Sequence, residues 1–95
     1  MSRRIYSYSQ PIDLGELGTH CGTFTAAIDS EQNRFGWSYY IEIVNVLIDL
    51  RLGGHTLTIP ATEAFIEKEH VRKKWEDEIL RDYQIAMNKD EYATV

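Results

Sequence analysis

The sequence predicts an α+β fold: a mainly antiparallel sheet of four to five strands with one long C-terminal helix packed on a face. Three observations carry that prediction. Val46 to Ile59 reads as two alternating segments joined by Gly53-Gly54, and the stretches after Thr23 and Trp37 alternate as strands do. Beyond Pro60 the apolar spacing becomes helical and holds to about Lys89.

The Val46 to Ile59 hairpin organises the rest. A two-residue turn at Gly53-Gly54 sets Leu52 opposite His55, Leu50 opposite Leu57 and Ile48 opposite Ile59, while Arg51 meets Thr56 and Asp49 meets Thr58. One face is then apolar and the other polar. A one-residue slip would reverse only one of the two strands, so the sorting fixes the register.

In chain order, Arg4 to Tyr8 is a short first strand closed by Pro11, and Gln10 to Gly22 is a loop carrying three glycines. Thr23 to Asp29 follows as a second strand, with Phe24, Ala26 and Ile28 on one face. Ser30 to Gly36 is a turn-rich connection. Between Trp37 and Leu52 the apolar positions switch from odd (Trp37, Tyr39, Ile41, Ile43) to even (Val44, Val46, Ile48, Leu50, Leu52). A bulge or sharp bend near Val44 and Asn45 accounts for the switch, because one extra residue returns the same face to the core. A chain reversal at Asn45 and a short buried helix from Ile41 to Leu52 are the alternatives.

Thr62 is expected to cap the helix, with Glu63 in its first turn. Its stripe holds Ala64, Phe65, Val71, Trp75, Ile79, Leu80, Tyr83, Ala86 and Met87, and Glu69 with Lys73 and Asp77 with Arg81 are spaced as favourable surface pairs. Such a helix is about 42 Å long at about 1.5 Å per residue, against a domain on the order of 30 Å across. Its end is expected to overhang or bend, leaving Ile85 beside Tyr83 and Met87 without an intramolecular partner; a helix that stops early, with Ile85 folded back, is the alternative.

Ninety-five residues make one domain, spanning 1–95, and the apolar fraction of 43% with 26% charged residues is that of a soluble globular chain. A net charge of −5 and a pI near 5.1 disfavour attraction to phosphate backbones and anionic membranes. The lone Cys21 excludes an internal disulfide, and neither a signal peptide nor a membrane span is read in the chain. A cytoplasmic location is expected.

Catalytic groupings are sparse. His20 and Cys21 are neighbours whose side chains point apart in an extended chain, which suits neither nucleophile nor base. Glu67 and His70 match a di-iron helical spacing once, where such a site needs it twice, so no metal or other cofactor is expected. Gly15, Gly18 and Gly22 precede a strand, which provides no helix N-terminus for a phosphate.

The leading expectation is a small acidic protein-binding module, of inhibitor or adaptor type and not an enzyme. It is expected to be homodimeric through the distal helix, with a protein as partner and an exposed sheet edge also available. Tyr83, Ile85 and Met87 are the candidate contacts, with Glu76 and Asp77 from an acidic cluster on the same helix. One alternative is a small enzyme or ligand-binding domain with a pocket at the Gln10 to Gly22 loop and His20 as its acid-base group. Another is single-stranded nucleic-acid binding through Arg72, Lys73, Lys74 and Trp75, which the seven acids of the Thr62 to Lys89 helix oppose.

Overall fold

The computed structural model describes residues 2–93, with side chains described for residues 3–87. Four strands, β1 (Ser2–Asp13), β2 (Thr19–Asn33), β3 (Gly36–Leu52) and β4 (His55–Pro60), form an antiparallel sheet in the order β1-β2-β3-β4. Two helices follow, α1 (Thr62–Ile66) and α2 (Glu69–Ala93). The fold is α+β, with the long C-terminal helix on one face of the sheet.

The hairpin between β3 and β4 has the register its alternation requires, with Leu52 opposite His55, Leu50 opposite Leu57 and Ile48 opposite Ile59. Gly53 and Gly54 have φ of 56° and 86°. A two-residue turn that follows strand twist needs positive φ at both centres, which glycine adopts without a Cβ penalty.

The change of alternation in β3 is a bulge. Thr25 pairs with Asn45 and Ala26 with Ile43, so Val44 is the inserted residue. Neither the reversal nor the short helix occurs. Ile43 on one side and Val46, Ile48 and Leu50 on the other all remain buried.

Three expected boundaries are corrected. β1 does not close before Pro11 but runs through it to Asp13, pairing Pro11 with Cys21. An edge strand needs ladder bonds on one side only, so a residue without an N–H is tolerated there. The Gln10 to Gly22 loop accordingly shrinks to a short turn around the 3-10 segment Gly15–Leu17. Gly22 lies inside β2, where a Cβ would come within 2.6 Å of Ile12 Cγ1; its bareness admits the buried Ile12 side chain. The Ser30 to Gly36 connection is likewise mostly strand, turned by Arg34 and Phe35 between the paired Asn33 and Gly36.

Thr62 is not a helix cap. Ala61 occupies that position without a side-chain hydrogen bond. The Thr62 hydroxyl instead accepts from the Val46 amide at 3.0 Å and donates to Asn45 Oδ1 at 3.0 Å, while the Ala61 amide donates to the Val46 carbonyl at 2.8 Å. These bonds latch the helical entry to the bulge. Thr62→Val keeps the shape but strips two partly buried groups of their partner, at an expected cost of about 1–3 kcal/mol. A urea midpoint lowered at unchanged m value is the predicted readout.

The helix is broken at Glu67-Lys68, so one continuous helix from Thr62 is also corrected. Its first turn is held by the latch, whereas α2 is directed by its own contacts with the sheet. Phe24, fully buried, stacks on Trp75 (centroids 4.6 Å, planes 22° apart) and meets Phe65 edge-on at 5.2 Å. Ile79 is fully buried further along α2, and Tyr83 meets Tyr6 at 5.3 Å and Tyr39 at 6.2 Å, both edge-on. Within the expected stripe Ala64 and Met87 are exposed. The Glu69-Lys73 and Asp77-Arg81 pairs are not closed; among the described residues the ion pairs are those of Arg3 with Asp29 and Glu42.

The longest dimension is 52 Å, set by strands of 15 and 17 residues. A 25-residue helix of about 38 Å lies along such a sheet. The overhang expected from a domain on the order of 30 Å across is thereby reduced. Met87 still reaches β1, where Arg4 Nη1 approaches its sulfur at 3.6 Å.

Candidate functional site

Two sheet edges are open, and they differ. β1 carries Arg3, Arg4 and Pro11, the charges and proline with which edge strands are blunted against pairing. β3 is covered by β4 over Leu47 to Leu52 only, because β4 is six residues long and β3 is seventeen. From Gly36 to Val44 no strand among the described residues lies on the side of β3 away from β2. The sequence of that stretch, Gly-Trp-Ser-Tyr-Tyr-Ile-Glu-Ile-Val, holds one charge and no proline.

The turn fixes which backbone groups are free. In a two-residue hairpin the closing pair, here Asn33 and Gly36, exchanges bonds, so even residues from Gly36 aim their amides and carbonyls at β2. Those of Trp37, Tyr39, Ile41 and Ile43 point away from it. The free length ends at Val46, whose outward groups are taken by Thr62 and Ala61. Beside its inner end lies a shallow groove of about 260 Å³ lined by Glu42, Ile43, Ile66, Arg72 and Glu76.

Exposed apolar side chains gather on the same stretch. Phe35 is 91% exposed, Trp37 58%, Tyr40 57% and Val44 51%. Trp37 shares the helix-covered face with Tyr39, whereas Tyr40 lies on the other face with Glu42, where Arg3 Nη2 stands 3.6 Å from Glu42 Oε2. The edge therefore offers free main-chain groups flanked by aromatic surface. Its signal in the sequence was a mismatch of lengths: the segment between Gly54 and Pro60 is too short to pair with all of the strand before Gly53.

The candidate residues of the distal helix are dispersed. Tyr83 is buried between Tyr6 and Tyr39. Ile85 and Met87 are 49% and 38% exposed, but two residues along a helix point about 200° apart, so they do not form one patch. Asp77 is exposed and Glu76 half-buried. Burial pushes the Glu76 carboxyl up, with Arg72 and Lys73 pulling down against Asp77 and Glu42.

His20 is held by both ring nitrogens. Nε2 donates to the Leu17 carbonyl at 2.6 Å and Nδ1 accepts the Arg51 amide at 3.2 Å, an arrangement that requires the neutral Nε2–H tautomer. Both ring nitrogens are thus engaged within the chain. His20 itself lines an open groove of about 500 Å³ with Gln10, Pro11, Cys21, Asp49 and Arg51, at the place expected for a pocket beside the Gln10 to Gly22 segment, and Cys21 is exposed in it. Of the basic cluster, Trp75 is half-buried and stacks one indole face on Phe24, with Lys74 Nζ 5.5 Å from its ring. Among the described residues no group of three or more His, Cys, Asp or Glu is placed to hold a metal ion, and no helix is long and apolar enough to cross a membrane.

One pair went unread in the sequence. The Tyr6 hydroxyl donates a hydrogen bond to Asp82 Oδ2, tying β1 to α2. Burial first, then that bond and the Asp82 charge, push the Tyr6 phenol up to about 12. Ionised in the unfolded chain near pH 10, Tyr6 contributes stability that is complete below about pH 10 and lost as pH rises towards about 12. Urea unfolding of the parent and Tyr6→Phe across this range is expected to show a steeper loss in the parent.

No protein-family model matches the chain, and no curated protein or solved structure matches it either.

Proposed function

We propose that this chain is a non-enzymatic protein-binding module that receives an extended segment of a protein partner along the free length of β3. The observation that carries the proposal is the six-residue β4 beside the seventeen-residue β3, which leaves an unblunted aromatic edge from Gly36 to Val44. An added strand gains main-chain bonds from Trp37, Tyr39, Ile41 and Ile43 and contact surface from the alternating side chains. The blunted β1 edge offers less to such a partner.

Amide hydrogen exchange of the chain diluted to a single copy, with peptides selected for binding from a random library, tests this reading. Bound peptides are expected to slow exchange at Trp37, Tyr39, Ile41 and Ile43 and to leave the paired amides of β4 unchanged. Peptides that bind while those four amides keep their free rates would place recognition elsewhere.

A further inference from the structure

We infer that the segment received at this edge is the same segment of a second copy, so that two β3 strands pair antiparallel about a two-fold axis into one eight-stranded sheet. This rests on the strand-addition reading and supplies its partner. The free stretch is bounded by the Arg34-Phe35 turn at one end and the Val44 bulge at the other, and its middle residue is Tyr40. A symmetric pairing that uses all of it places Tyr40 opposite the partner's Tyr40.

That register sorts every side chain. Trp37 meets Ile43 of the partner subunit and Tyr39 meets Ile41 of the partner subunit on the helix-covered faces, while Ser38 meets Glu42 of the partner subunit on the open faces. No like charges face each other. Glu42, the one charge of the stretch, keeps Arg3 of its own copy beside it. A shift by one residue would set Trp37 against Glu42 and Ile41 against Ser38, mixing apolar with polar positions and turning the two helices to opposite faces. The outward groups of Tyr39 and Ile41 bond reciprocally, which leaves Tyr40 in a pair without mutual hydrogen bonds, where side chains lie closest and aromatic pairs contribute most.

The exposed aromatic surface, with Phe35 of the bounding turn included, supplies at least about half of the area such a contact needs. Phe35, Trp37 and Tyr40 are 91%, 58% and 57% exposed. At about 150–250 Å² per aromatic side chain, two copies present on the order of 600–1,000 Å² before backbone and Val44 are included. Stable interfaces begin near about 1,200 Å² in total. Because the contact is isologous, it closes at two copies, whereas β3 pairing with a neighbour's β1 would propagate without end.

Sedimentation of Tyr40→Glu and Tyr40→Lys, alone and mixed, tests the inference. Tyr40 is exposed on the open face, so both variants are expected to keep the parent's circular dichroism, while the urea midpoint falls only by what association contributes. The parent should sediment as a dimer, twice the chain mass of 11.0 kDa. Each variant alone should fall to half the parent's mass, since like charges meet at the dyad, and an equimolar mixture should recover the dimer. A parent that is monomeric at all concentrations, or a dimer that persists in both single variants, overturns the second-copy inference. A monomeric parent whose β3 amides are nevertheless protected by selected peptides leaves the strand-addition reading standing, so the two failures are distinguishable.

Discussion

Phe24→Ala is expected to cost about 3–5 kcal/mol, the usual loss for a fully buried phenylalanine. Phe24 has no exposed surface and is the ring on which three others converge: Trp75 stacks on it, Phe65 meets it edge-on and Tyr8 lies tilted at 6.2 Å. These come from β1, α1 and α2, so the cavity would open where all three join β2. A domain of this size has about 5–15 kcal/mol in total, and the variant would retain a fraction of it. Urea unfolding measures the loss. Trp75 emission should shift to longer wavelength as its stacking partner disappears, against a constant contribution from the exposed Trp37.

Ile79→Ala is expected to cost about 2–5 kcal/mol, with a different signature. Ile79 is fully buried within α2, standing between the aromatic group at Phe24 and the one at Tyr83. Removing its side chain weakens the docking of the helix without opening a gap between strands. Amide exchange should therefore accelerate in α2 more than in β2 and β3. Uniform acceleration across sheet and helix would mean that α2 and the sheet open only as one unit.

What was legible in the sequence was what local alternation determines. The β3–β4 register followed from a pattern that a single-residue slip destroys, and the bulge followed from the odd-to-even switch at Val44, because burial of one face leaves few other ways to accommodate it. The strand ends were less legible. Pro11 looks like a terminator until β1 is known to be an edge, and strand order is a tertiary property. Thr62 has the right residue type for a cap, but its hydroxyl is taken by a strand sixteen residues earlier, a competition that no local window contains. Tyr83 illustrates the same limit at the candidate site. It belonged to an apparent surplus of apolar helix surface, and Tyr6 and Tyr39, which cover it, come from two different strands. The free edge was foreshadowed only by the unequal lengths of β3 and β4.

The Val44 insertion separates two properties of β3 that ordinarily travel together. Because Val44 is the extra residue between two correctly facing neighbours, deleting it would leave Ile43 and Val46 on the same side and every cross-strand partner in place. The bend and the added local twist would go. Which residues the sheet shows to solvent and how strongly the sheet curves are thus encoded at different positions. Mutation at the bulge can retune the bend of β3 without rewriting the composition of either face.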